Sequence, residues 1–188
     1  MQAHDNKQHI RKDIAALKKR LSEEKSVELS QKICDRLIKT DFFQKAGCIA
    51  LYYAMDDEVR TSDLIDKWCE KKKIALPVIC GENINFHEFK GKEFLSVSAS
   101  GISEPDSTEA ISPEEIDLFV VPGVAFDHEC NRLGRGKGFY DKYMADVKKP
   151  MIGICFDFQL IETIPAEKHD IKMSMIITEN VILSPHRQ

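Results

Sequence analysis

Apolar residues recur at helical intervals in the first forty positions and gather into short runs after that. Ile10, Ile14, Leu17 and Leu21 fall at the three- and four-residue spacing of one helix face. Ser22 is placed to cap a second helix, with Glu23 and Glu24 in its first turn, where negative charge meets the partial positive end of the helix. Val27, Ile33, Cys34, Leu37 and Ile38 would form its apolar face. Residues 48–54, CIALYYA, then read as a buried strand that Asp56, Asp57 and Glu58 bring to an end. Thr61 suits the cap of a helix that buries Leu64, Ile65, Trp68 and Cys69.

Two further runs follow, IALPVI at 74–79 and the alternating INFHEF at 84–89, the second with the period of a half-buried strand. Residues 96–112 are rich in Ser, Gly, Pro and Glu and read as a loop. Ser112-Pro113-Glu114-Glu115 carries a capping-box pattern with proline at the first helical position, which predicts a single helical turn. Strands are expected at LFVVP (118–122), MIGICF (151–156) and MSMIIT (173–178), with a helix from Gly138 to Val147. Strands alternating with helices predict an α/β fold with a mostly parallel sheet covered on both faces. No repeat, low-complexity tract or linker divides the chain, so residues 1–188 are expected to form a single domain.

Composition narrows the function more than the fold. The chain has 188 residues, 43% hydrophobic and 31% charged, with a net charge of −4. That balance argues against nucleic acid as a partner, since phosphate binding is served by a basic excess. The polar opening MQAHDNKQHIRK has no apolar signal core, and no run approaches the ~20 apolar residues of a membrane span, so a cytoplasmic protein with no membrane partner is expected. Six cysteines include no CxxC pair, and the six histidines form no HExxH-type cluster, which leaves zinc and dithiol chemistry without support. Cys48, Cys80 and Cys155 lie in or beside apolar runs and suit the role of small hydrophobes.

The densest chemistry lies in residues 120–144, VVPGVAFDHECNRLGRGKGFYDKYM. Gly123, Gly134, Gly136 and Gly138 interleave there with Arg132, Arg135 and Lys137, and a helix follows at once. Glycines let backbone turn sharply and approach a ligand, and successive N–H groups can then form an anion nest. Arg135 and Lys137 would add full charges. The segment leaves the C-terminal end of a strand, where ligands of open α/β sheets bind. It is neither the GxxxxGK[ST] loop nor GxGxxG. Asp141, three residues beyond Gly138, is positioned as a magnesium ligand beside a polyphosphate. A tight turn with solvated charges is the plain alternative for these residues.

The pattern Pro122-Gly123-Val124-Ala125-Phe126-Asp127, then Arg132-Leu133-Gly134-Arg135-Gly136-Lys137-Gly138-Phe139-Tyr140-Asp141, closely resembles the signature of the 5-formyltetrahydrofolate cyclo-ligase family, also called methenyltetrahydrofolate synthetases. Lys7-Gln8-His9-Ile10-Arg11 is similar to the family's K-x-x-(L/I)-R segment, and LYYAMDDEVRT, KKIALPVI and GISEP also fit. The resemblance implies a three-layer α/β/α sandwich like the NagB, RpiA and CoA-transferase group. It implies that Lys7, Arg11 and the run Arg132–Tyr140, Leu133 included, bind ATP. It implies that Tyr53, Glu58 and residues Arg135–Phe139 bind the folate, with Arg135 and Lys137 catalytic. Asp141 and Asp170 would hold magnesium. One departure stands out: where the family often shows W-D-x-x-(L/V)-D, this chain has His169-Asp170 and Ser174.

The implied reaction is ATP-dependent cyclisation of 5-formyltetrahydrofolate to 5,10-methenyltetrahydrofolate by a monomer acting on small molecules alone. ATP would phosphorylate the formyl oxygen and N10 would attack the activated carbon, releasing ADP and phosphate. A non-catalytic folate or nucleotide module and a phosphosugar isomerase or CoA-transferase are the competing readings, because fold alone does not decide function. No motif for the last two is present.

Overall fold

The computed structural model describes residues 2–98, 101–106, 109–167 and 170–185; His169 lies outside the described residues. Three helices, α1 (Gln2–Lys18), α2 (Glu23–Leu37) and α3 (Asp41–Lys45), precede strand β1 (Cys48–Ala50). Helix α4 (Ser62–Trp68) leads into the hairpin of β2 (Lys73–Cys80) and β3 (Asn83–Glu88). Short strands β4 (Leu95–Val97), β5 (Ser103–Pro105) and β6 (Ala110–Ile111) come next, followed by β7 (Leu118–Val121), β8 (Ala125–Asp127) and β9 (Arg132–Leu133). Helix α5 (Phe139–Met144) precedes β10 (Met151–Ile154), β11 (Leu160–Ile161), β12 (Met175–Ile177) and β13 (Ile182–Leu183).

The main sheet runs β13-β12-β10-β7-β1-β2-β3-β6. Its five central strands, β12 to β2, are parallel, and antiparallel strands close both edges. The alternation of strand side chains separates two cores. Ile49, Leu76, Leu118, Val120, Ile152 and Ile154 face Leu29, Ile33, Leu37, Phe43, Leu64 and Ile65 of α2, α3 and α4. Their sequence neighbours Ala50, Ala75, Phe119, Val121 and Met151 face the other way, toward Met144 and the α5 tyrosines. The sheet is therefore a middle layer between helices, as the sequence predicts. Helix α1 packs apart from these cores, with Ile14 against Ala125 and Leu133 of the small sheet β11-β8-β9 and Ile164 just beyond it.

Local signals hold in part: Thr61 precedes α4 but makes no capping bond, its hydroxyl donating instead to Tyr52 O, and Leu17 on the expected face of α1 is exposed. Ser22 caps α2 and accepts from Lys25 N at 3.2 Å, and the Ser112 amide donates to Glu115 at 3.2 Å across the turn Pro113–Glu115. Val27, however, is exposed, because Ser26, Leu29 and Ser30 take the inner face of α2. Cys80 is exposed too, since it sits at the hairpin tip past the sheet's core. The stretch read as a loop carries β5 and β6, two strands too short to show a period. The helix expected from Gly138 to Val147 stops at Met144.

Candidate active site

Strand β1 leaves the sheet after Ala50, while β2 continues. Its departure opens a cleft at the C-terminal end of the parallel strands. A cavity of about 250 Å³ fills it. Tyr52, Tyr53 and Glu58 border it from the chain after β1, and Pro122 and Gly123 from the end of β7. Arg132, Gly134, Arg135, Lys137, Gly138, Phe139, Tyr140 and Asp141 form one wall, and Pro77, Ile79, Ile84 and Glu104 form another. Most of the site residues expected from sequence therefore meet in one place.

The glycine-rich wall is tightly prepared. Arg132 runs beneath it, buried, with Nη1 donating to Pro122 O at 3.1 Å and Nη2 to both oxygens of Asp141 at 3.1 and 3.0 Å. A Cβ at position 134 would fall 3.0 Å from Arg132 Nη1, so glycine is what lets the chain cross over this side chain. Gly136 and Gly138 adopt φ of 102° and 68°, conformations that L side chains resist, and Gly138 is the residue that turns the chain into α5. The preceding hairpin is held by the buried Asp127 carboxylate, which accepts from Glu129 N, Asn131 N, Asn131 Nδ2 and Ile164 N at 2.8–3.0 Å. Gln159 Nε2 pins Gly123 O and Val124 O at 3.1 and 2.9 Å.

The three loop cations have different surroundings. Arg132 is fully committed to Asp141 and Pro122. Arg135 donates through Nη2 to Asp57 and to Glu58 Oε1 at 3.0 Å, joining the loop to the chain after β1. Burial alone would push the Asp57 carboxyl up, yet Lys18 and Arg135 outweigh it and hold the group below its ordinary value. Lys137 is exposed and lies 5.6 Å from the Phe139 ring centroid; among the described residues no carboxylate pairs with it. It is the loop cation best placed to meet a ligand anion.

Helix α1 braces the loop from behind. Arg11 Nε donates to Gly134 O at 3.0 Å. One turn earlier, Lys7 is 9% exposed and pairs with Glu167 at 2.9 Å and Asp170 at 2.8 Å. Burial presses the Lys7 ammonium toward its neutral form, and the two carboxylates more than reverse this, raising its pKa. Asp170 also accepts from Glu167 N at 2.8 Å.

These contacts refine the expected ligand roles. Asp141 lies on the cavity wall, whereas Asp170 lies at the foot of α1, outside the cavity lining. Among the described residues no group of three or more His, Cys, Asp and Glu side chains could hold a metal. Glu58 has Oε1 engaged by Arg135 and Oε2 by Met55 N at 3.1 Å. Tyr53 lines the cavity as expected. Tyr52 is buried and Tyr140 half-buried on the cavity wall, and loss of hydration raises both phenols; Tyr52 donates to Val59 O at 3.0 Å.

Sequence reasoning missed Glu104, Asp127 and Gln159. Asp127 sits inside the signature as a hydrogen-bond hub, and its position two residues before Glu129, as in an Asx turn, was an available signal. Glu104 lies in GISEP, a segment that fits the family without an assigned role, and Gln159 carries no local signal; the fold brings both to the site.

Comparison with known proteins agrees with this geometry. The model of the 5-formyltetrahydrofolate cyclo-ligase family matches residues 3–179. A probable 5-formyltetrahydrofolate cyclo-ligase of Schizosaccharomyces pombe is 30% identical, over 80% of this chain and 84% of the relative. The 5-formyltetrahydrofolate cyclo-ligase of Escherichia coli K12 is 29% identical, over 86% and 94%. Among solved structures, the 5,10-methenyltetrahydrofolate synthetase of Aquifex aeolicus superposes with a TM-score of 0.88 at 34% identity, covering 97% of this chain and 94% of the other. That of Mycoplasma pneumoniae gives 0.76 at 27%, covering 92% and 98%. With its signature loop, its cavity at the strand ends and its whole architecture in agreement, the chain belongs to the 5-formyltetrahydrofolate cyclo-ligase family.

Proposed function

We propose that this protein cyclises 5-formyltetrahydrofolate to 5,10-methenyltetrahydrofolate at the expense of ATP. The observation that carries this reading is the division of one cavity into a cationic glycine loop and an apolar, aromatic-flanked wall. Such a cavity suits a flat heterocycle on one side and phosphate on the other.

The formyl group on N5 is an amide, and its oxygen is a poor leaving group. Transfer of the γ-phosphoryl group to that oxygen forms an O–P bond, breaks the bond to ADP and leaves an N5-iminium phosphate. N10 then attacks the formyl carbon. Cleavage of the C–O bond expels phosphate, N10 gives up its proton, and the methenyl bridge remains. Phosphoryl transfer depends on position and charge neutralisation rather than covalent help from the protein. Lys137 and Arg135 supply that charge, and the backbone from Arg132 to Tyr140 follows the phosphates. Arg11, which fixes the loop to α1, and Lys7, one turn earlier, are proposed to bind the nucleotide.

Asp141 offers hard oxygen donors at the cavity wall, of the type magnesium takes, and magnesium is satisfied by one or two carboxylates completed by phosphate oxygens and waters. When bound, the ion would neutralise phosphate charge. Asp141 would hold it, with Asp170 as the second carboxylate of this proposal. Tyr53 and Glu58 serve the folate, Glu58 through the lone pairs left beyond Arg135 and Met55. The enzyme is proposed to work as a cytoplasmic monomer; no described helix is long and apolar enough to cross a membrane.

The test is to mix purified protein with MgATP and 5-formyltetrahydrofolate and follow the ultraviolet absorbance of the methenyl product. One ADP is expected per product. Equal cyclisation without nucleotide would overturn the reading.

A further inference from the structure

Opposite the cation loop, β2 runs beyond the end of β1, so its residues 77–79 present an open edge to the cavity. Pro77 has no N–H to leave there. The Ile79 amide is met by Glu104 Oε2 at 3.4 Å. Glu104, on β5, is 7% exposed, and its other oxygen, Oε1, is buried with no hydrogen-bond partner. Pro77, Ile79, Ile84 and Ile102 line the cavity with it, and among the described residues no cation pairs with it. A carboxylate oxygen withdrawn from water and left unbonded is costly to the fold. Glu104 borders a cavity sized for a ligand, so a small turn of its side chain would bring this oxygen to a ligand donor.

We propose that Glu104 is a substrate-recognition residue that accepts hydrogen bonds from the pterin edge of the folate. The proposal rests on the function given above and deepens it. An ionised carboxylate only accepts. The pterin ring presents two adjacent donors, N3–H and the 2-amino group, which a carboxylate can take together. An adenine edge presents a donor beside an acceptor, and the acceptor would face carboxylate lone pairs. The chemistry therefore assigns Glu104 to the folate and not to the nucleotide. Glu58 is less suited to this edge because both its oxygens are already engaged.

The test compares wild type with Glu104→Gln, using 5-formyltetrahydrofolate and its 2-desamino analogue, each with MgATP. The amide keeps one acceptor for Ile79 N and turns the other position into a donor, which opposes the pterin donors. KM for the folate is expected to rise about 10- to 100-fold, as for loss of a charge-assisted bond. KM for ATP and the thermal midpoint should stay close to wild type. The analogue should cost wild type a large factor and Glu104→Gln little more than it has already lost. A rise in the ATP KM instead, or an unchanged folate KM in active Glu104→Gln, would overturn the proposal. Should Glu104→Gln fail to fold, wild type decides alone: equal use of parent and analogue would overturn it, and strong discrimination supports it. Absence of any wild-type cyclisation would count against the functional reading itself, which separates the two failures.

Discussion

One wall of the cavity is the segment Arg132–Asp141, and the other is the open edge of β2 with Glu104. The first packs charge with redundancy: Arg132 is paired with Asp141, and Arg135 with Asp57 and Glu58, while Lys137 stays unpaired among the described residues. The second is apolar around a single carboxylate with one oxygen unsatisfied. On the proposed function the first wall meets phosphate, which many weakly directional charges recognise, and it is one continuous motif. The second would meet the heterocycle edge through a few fixed groups in an apolar frame, and it is split between two distant segments, KKIALPVI and GISEP. Both segments resemble the family in sequence, but only the continuous cationic motif carries a local sign of its chemistry.

The division is most sharply tested at Lys137. Lys137→Met should lower turnover about 10²- to 10³-fold, the usual cost of losing one well-placed charge-stabilising donor. The circular dichroism spectrum and thermal midpoint should not change, because no described carboxylate pairs with Lys137. Near-normal turnover in a folded variant would reduce it to a solvated loop charge.

Asp141→Asn should act on both stability and metal use. Arg132 is only 5% exposed in its side chain, and the variant removes its carboxylate partner. Hydrogen bonds to charged groups contribute about 1.5–3 kcal/mol, so the thermal midpoint should fall by roughly 4–10 °C for a chain of this size. The magnesium concentration for half-maximal rate should also rise. A lowered midpoint with unchanged magnesium dependence would confine Asp141 to bracing the loop.

A smaller effect is expected from Glu58→Gln, about 10-fold on the folate KM and less on the ATP KM, since an amide accepts through one oxygen only. Equal loss for both substrates would show that Glu58 acts through Arg135 alone. Smallest is the acid behaviour of Asp57. Its folded pKa is depressed, so its contribution to stability is present above the unfolded value of about 3.9 and is lost as pH falls through the lower folded value. Asp57→Asn should flatten the acid limb of the stability profile in that window. An unchanged limb would show that Lys18 and Arg135 exert no net pull on this group.

The central strands were legible because a doubly covered parallel strand is an unbroken apolar run, as in LFVV and MIGI. The loop was legible because Gly136 and Gly138 occupy positive φ, and Gly134 yields to Arg132. The role of Arg132 was not, since its pairing with Asp141 depends on how the chain folds back over nine residues. Strands β5 and β6 escaped because two or three residues cannot display a period, and Glu104 lies on one of them. Val27 shows the reverse error: hydrophobicity suggested burial, but the face of α2 is decided by the neighbours it meets.

The central claim is that ATP activates the formyl oxygen itself, on the cationic wall. Label that oxygen of 5-formyltetrahydrofolate with a heavy isotope, run a single turnover with MgATP and analyse the inorganic phosphate by mass. The loop offers cations able to stabilise a phosphate leaving group, while arginine and ordinary lysine hold their protons too tightly to expel hydroxide. One labelled oxygen per phosphate is the predicted result. Label in water with unlabelled phosphate would contradict the account, because ATP would then be driving some step other than formyl activation.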